Sequence, residues 1–155
     1  MSVYWFTGLS GAGKTTIGYE YYLYRKSLGD SIVFLDGDSL RLVMGVECGY
    51  ELSERKKLSY KYARLSKMLA EQDVHVVIAT ISMFSEVREW NRENIIDYVE
   101  IYIKVPLEIL IKRDQKNLYS NNVDNVVGIN IDIEETLNPD VTILNDGSKS
   151  LGGSS

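Results

Sequence analysis

Residues 8–15 read Gly8-Leu9-Ser10-Gly11-Ala12-Gly13-Lys14-Thr15, a complete G-x-x-x-x-G-K-[ST] spacing. The run before it, Val3 to Thr7, is short, β-prone and apolar, as a buried parallel strand requires. The run after it predicts a helix from Lys14 to about Leu28, stopped by Gly29-Asp30. Between a strand and a helix, this spacing holds phosphate: glycines let backbone N–H groups wrap an anion, and the helix N-terminus adds a favourable dipole. Gly8, Ser10, Gly11, Ala12 and Gly13 are the expected cradle, with Lys14 reaching the β- and γ-phosphates and the Thr15 hydroxyl a ligand for Mg²⁺. The competing reading is a turn that merely joins strand to helix, which seldom satisfies both spacing and context.

Outward from the loop, Ile32 to Leu35 reads as a second buried strand closing on Asp36-Gly37-Asp38. Leu58, Tyr62, Leu65 and Leu69 share one face of a helix beginning near Ser53. Val74 to Thr80 is a third strand, the polar segment through Asn94 a helix, and Val99 to Val105 a fourth strand. Pro106 suits the first turn of a helix over Leu107 to Arg113, and Val141 to Leu144 supplies a fifth strand. The alternation predicts a three-layer α/β/α P-loop NTPase fold with a mainly parallel five-stranded sheet, ligands sitting at the carboxyl ends of the strands. One domain over residues 1–146 is expected, with a lid around 114–128 and a flexible tail over 147–155.

Asp36-Gly37-Asp38 is the expected acceptor side, because adjacent parallel strands deliver their ends to the same edge. Asp38 is the candidate catalytic carboxylate: it is placed to orient a hydroxyl, accept its proton and hold a Mg²⁺-bound water, Gly37 allowing the tight turn. A helix N-cap for Ser39 onward is the structural alternative for Asp38. Arg41 and Arg55 lie on segments leaving the strand ends, where paired planar donors suit phosphate or sulfate oxygens, and Arg88 and Arg92 are further possibilities. Arg113, Asp114 and Lys116 open the expected lid, whose closure would exclude water; a basic helix C-terminus is the plainer explanation. His75 and the tyrosines 19, 21, 22 and 24 read as packing residues, and Cys48 has no histidine partner to make it a nucleophile.

The composition limits the alternatives. The chain has 155 residues and a formal net charge of -5, which argues against a broad nucleic-acid surface. No apolar stretch approaches the ~20 residues that span a bilayer, so no membrane crossing is expected. A lone cysteine and the lack of a basic leader suggest a reducing cytoplasm. No N-K-x-D guanine-reading segment is present, which sets a GTPase behind a kinase.

Four ordered blocks, GLSGAGKTT from Gly8 to Thr16, LDGDSLR from Leu35 to Arg41, Ile81-Ser82 before Phe84, and PLEILIKRDQKNLY from Pro106 to Tyr119, resemble the adenylyl-sulfate kinases. Those enzymes phosphorylate the ribose 3′-hydroxyl of adenosine 5′-phosphosulfate with MgATP, and commonly form dimers. The resemblance implies that Thr16 joins the ATP contacts and that Asp38 is the catalytic and metal-organising carboxylate, beside Asp36 and Arg41. It places an acceptor-stacking aromatic at Tyr50, an anion-holding arginine at Arg55, acceptor contacts at Ile81 and Ser82, and the start of a nucleotide lid at Arg113 and Lys116. The chain departs from the family at Leu58, normally asparagine, at Tyr60 and Lys61, normally arginines, at Met83, normally proline, and at Val126, normally the second stacking phenylalanine. These changes spare the donor half and alter the acceptor half. Adenylyl sulfate is the family default, while cytidine diphosphoramidate kinases of bacterial capsule synthesis resemble the altered pattern. A catalytically silent nucleotide-binding module is the alternative of another class.

Overall fold

The computed structural model describes residues 1–8, 13–45, 52–81, 84–105 and 139–144. The expected helix after Pro106, the lid, the tail and Cys48 lie outside the described residues. Among the described residues nine elements follow in chain order: β1 (Val3–Thr7), α1 (Lys14–Ser27), β2 (Ile32–Asp36), α2 (Gly37–Met44), α3 (Leu52–Ala70), β3 (His75–Thr80), α4 (Ser85–Asn94), β4 (Tyr98–Lys104) and β5 (Val141–Leu144). The five strands form one sheet in the order β2-β3-β1-β4-β5, and every described pairing is parallel.

Both faces of this sheet are buried, which is why its strands read as continuous apolar runs. Alternation along β1 sends Phe6 to one core with Ile17, Ile32, Val77 and Ala79, against which Tyr21, Tyr22 and Phe34 pack. Val3 and Trp5 face the opposite core with Leu40, Leu58, Tyr62, Ala63, Ile78 and Val87. Thus α1 covers one face, and α2, α3 and α4 contribute to the other. The predicted stripe on α3 is the buried one, with Leu58 and Tyr62 in the core and Leu65 and Leu69 packed against it.

The strand order corrects one expectation. β2 is not the neighbour of β1, because β3 lies between them, pairing Thr7 with Thr80 on one side and Asp36 with Ala79 on the other. The sheet keeps the phosphate loop and the Asp36–Asp38 segment on one edge, but separated by two strand spacings, about 10 Å.

A second feature absent from the sequence reading is a charged cluster inside the core. Glu100 is 2% exposed and lies opposite Trp5 in the register of β4 on β1. Arg88 Nε and Arg92 Nη2 of α4 each stand 3.7 Å from Glu100 Oε2, and the Tyr98 hydroxyl donates to Glu100 Oε1 at 2.8 Å. Asp140 accepts from the Glu100 amide at 2.7 Å and pairs with Arg92 at 3.3 Å, which ties the start of β5 to β4. Burial pushes the Glu100 carboxyl above its ordinary value, against the lowering pull of Tyr98, Arg88 and Arg92.

Replacing Arg88 by methionine removes the more buried of the two arginines facing that carboxylate and leaves Arg92 and Tyr98 to hold it, and urea unfolding at pH 8 is expected to show a loss of about 2 kcal/mol. A carboxyl with a raised folded pKa binds its proton more readily folded than unfolded, and losing Arg88 raises it further. The loss is therefore expected to shrink as pH falls towards 5, and an equal loss at both pH values would contradict the assignment.

Candidate active site

The donor half is built by the turn from β1 into α1. Gly13 takes φ 91°, a left-handed conformation that glycine adopts without the Cβ penalty, and its carbonyl accepts the first α1 bond from the Ile17 amide at 2.9 Å. Among the described residues no side chain caps this helix, and its first turn carries no acid, so its N-terminus presents a positive dipole. Lys14 is 8% exposed, whereas Thr15 and Thr16 are exposed in the same turn, and Gly8 is buried at the end of β1. Ser10, Gly11 and Ala12 lie outside the described residues.

The acceptor half begins two strands away. Asp36, the last residue of β2, caps α2: its carboxylate accepts from the Ser39 amide at 2.9 Å and from the Ser39 hydroxyl at 2.8 Å. The cap expected as the alternative role of Asp38 thus belongs to Asp36, because the helix starts at Gly37, earlier than anticipated. Asp38 falls in the first turn of α2 and is exposed, with Arg41 one turn further along and half-buried. Gly37 is not left-handed; a Cβ there would meet the Ala79 carbonyl at 3.6 Å and Thr80 Oγ1 at 3.8 Å, ordinary contact. Its role is close seating on the end of β3 rather than the tight turn expected. The Tyr62 hydroxyl of α3 reaches the Gly37 carbonyl at 3.4 Å, a long bond from the opposite side.

Arg55 is half-buried near the start of α3, and Ile81 is exposed just past β3. The described structure therefore brings Gly8, Gly13, Lys14, Thr15, Thr16, Asp36, Asp38 and Ile81 to the carboxyl edge of the sheet, with Arg41 and Arg55 on helices flanking it. Tyr50, Ser82, Arg113, Lys116 and Val126 lie outside the described residues. Arg88 and Arg92 do not belong with this group: they turn inward to Glu100, in mid-strand, because that buried carboxylate needs countercharge. Buried Thr7 and Thr80, in register beneath the cleft, were not legible as site residues; both read as ordinary β-formers. His75 is a packing residue at the opposite edge, where its Nδ1 accepts from the Ser2 amide at 3.2 Å. Tyr21 and Tyr4 are tied by Arg25 at 2.7 Å each, while Tyr19 and Tyr22 stack beside Phe34, so those tyrosines serve packing as expected.

A parallel sheet whose first strand leads, through a glycine-rich stretch of sequence, into a helix opening on a buried lysine is the architecture of the P-loop nucleotide-binding proteins, which hold phosphate at this edge. The chain matches the family described as adenylylsulphate kinase over residues 1–144, and it belongs to that family. It is 40% identical over 137 residues to the cytidine diphosphoramidate kinase of Campylobacter jejuni, covering 86% of this chain and 80% of that protein. It is 34% identical over 146 residues to the adenylyl-sulfate kinase of Halothermothrix orenii, covering 92% and 79%. Among solved structures, the Mycobacterium tuberculosis APS kinase in complex with AMPPNP and APS superposes with TM-score 0.87 at 27% identity, over 97% of this chain and 90% of that one. No helix among the described residues is long and apolar enough to cross a membrane.

Removing the α2 cap by Asp36→Ala is expected to cost about 1 kcal/mol in urea unfolding and to lower turnover by displacing Asp38. Asp36→Asn keeps the cap and is expected to retain the stability. If its turnover nevertheless falls as far as that of the alanine variant, the Asp36 charge acts on substrate directly.

Proposed function

We propose that this enzyme transfers the γ-phosphoryl group of MgATP to the ribose 3′-hydroxyl of a nucleotide modified at its 5′ end. The observation that carries the reading is the convergence of Lys14 and Asp38 on one sheet edge, two strands apart. That spacing leaves room for a terminal phosphate and a sugar hydroxyl between them.

In this reading the loop amides from Gly8 to Gly13, with Ser10, Gly11 and Ala12, wrap the donor phosphates, and Thr16 contacts them beside Thr15. Lys14 neutralises charge as the bridging bond to the leaving ADP lengthens. Asp38 orients the acceptor hydroxyl and takes its proton while the oxygen attacks in line with the departing ADP. Thr15 and Asp38, the latter through water, offer hard oxygen donors of the kind Mg²⁺ prefers, each exposed in the first turn of its own helix. Bound there, Mg²⁺ would neutralise charge on the donor phosphates. Asp36, Arg41, Arg55, Ile81 and Ser82 hold the acceptor, Tyr50 stacks on its base, and Arg113 with Lys116 belongs to a lid over the nucleotide. The family resemblance extends the reading to a homodimer in the cytoplasm.

Adenylyl sulfate is the family's default acceptor. Val126 in place of an aromatic, together with the 40% identity to a cytidine diphosphoramidate kinase, favours the smaller cytidine nucleotide instead. One lost stacking platform is worth roughly 1–3 kcal/mol, enough to shift base preference.

Coupled ADP release with cytidine diphosphoramidate, with adenylyl sulfate and with no acceptor tests the proposal. The cytidine compound is expected to give the highest kcat/KM and the acceptor-free reaction the least ADP. Equal release in all three would point to a nucleotide hydrolase, and no release in any of them to a silent binding module. Asp38→Ala is expected to reduce kcat by about 10³-fold while leaving ATP binding largely intact; unchanged turnover would remove Asp38 from the mechanism.

A further inference from the structure

Tyr60 joins two helices. The Tyr60 hydroxyl donates to Glu86 Oε2 at 2.7 Å, crossing from α3 to the first turn of α4. Lys56, one turn earlier on the same face of α3, places Nζ 3.9 Å from that same oxygen and 5.7 Å from the centroid of the Phe84 ring. Arg64, one turn later, stands 5.7 Å over the Tyr60 ring. Phe84 is the N-cap position of α4, and its carbonyl accepts from the Val87 and Arg88 amides at 3.1 Å each. Lys56 and Tyr60 therefore grip the head of α4 where the connection from β3 enters it.

The neighbouring face of α3 faces the turn that carries Asp38. Leu58 is buried in the core that holds Leu40 of α2, and Tyr62 reaches the Gly37 carbonyl. Arg55 adjoins Lys56 in sequence at the start of the same helix. One rigid helix thus touches both the turn that carries Asp38 and the head of α4, while itself carrying Arg55. A contact between α3 and α4 can therefore set how the head of α4 stands relative to Asp38 and Arg55.

We infer that Tyr60 and Glu86 are positioning residues for the acceptor nucleotide, locking α3 to the head of α4 so that Arg55, carried by α3, keeps a fixed position relative to Asp38. They touch no reacting atom. The inference rests on the proposed acceptor-kinase reading and deepens it. Burial first, and the Glu86 carboxylate second, hold the Tyr60 hydroxyl up to about 12, so it remains a donor throughout the working pH range.

Steady-state kinetics of Tyr60→Phe, Glu86→Ala and the double variant, with ATP and acceptor varied separately, test this; alanine is used at position 86 because glutamine would keep an accepting oxygen. Each single change is expected to raise acceptor KM about fivefold, the range of one lost hydrogen bond, with ATP KM and kcat within about twofold of the parent. The double variant is expected to be no worse than either single one, because both remove the same bond. Tyr60→His, which restores a donor, is expected to recover part of the loss. Unchanged acceptor KM in both single variants would overturn the inference while leaving the kinase reading intact. So would a fall in kcat and a rise in both KM values that track a lowered Tm, which would mark a purely structural brace. A parent enzyme that transfers phosphate to neither nucleotide acceptor would overturn the kinase reading and this inference with it.

Discussion

The structure depends on the insertion of β3 between β1 and β2. Parallel pairing obliges every strand to deliver its carboxyl end to one edge, so the order of strands decides which turns face each other and at what distance. With β3 interposed, the phosphate loop and the α2 turn share an edge without crowding, about 10 Å apart. Buried Thr7 and Thr80 close the floor of that gap as register partners. The two cores on either side hold the sheet rigid, and rigidity is what a phosphoryl transfer needs, since its catalysis is mostly positioning and charge stabilisation.

Much of this was legible in the sequence because it is written locally. The strand before the glycine loop, the helix after it and the apolar stripe on α3 follow from periodicity and from Gly29, and their limits agree with the structure to within a residue or two. The strand order was not legible, because nothing local in Ile32 to Asp36 says that a segment forty residues later will pair beside it. The residue that caps α2 was not legible for a related reason: Asp36 and Asp38 both precede Ser39 closely, and only the start of α2 at Gly37 decides between them. Arg88 and Arg92 looked like anion binders because their partner, Glu100, stands in a strand whose sequence gives no sign of a buried charge.

One helix ties the flanking elements of this edge together. By sequence the donor loop is a complete G-x-x-x-x-G-K-[ST] run. On α3, Leu58 joins the core that holds Leu40 of α2, and Tyr60 bonds to Glu86 of α4, so apolar packing on one face and a hydrogen bond on the next fix the helix between its neighbours.

The central claim is that Asp38 meets the sugar hydroxyl across the gap from Lys14. A crystal structure with a non-hydrolysable ATP analogue, Mg²⁺ and the acceptor nucleotide tests it most directly. The account predicts the Asp38 carboxylate within hydrogen-bond distance of the ribose 3′-hydroxyl, with Lys14 on the donor phosphates. A carboxylate turned away from the sugar, with the hydroxyl held by another base, would contradict it.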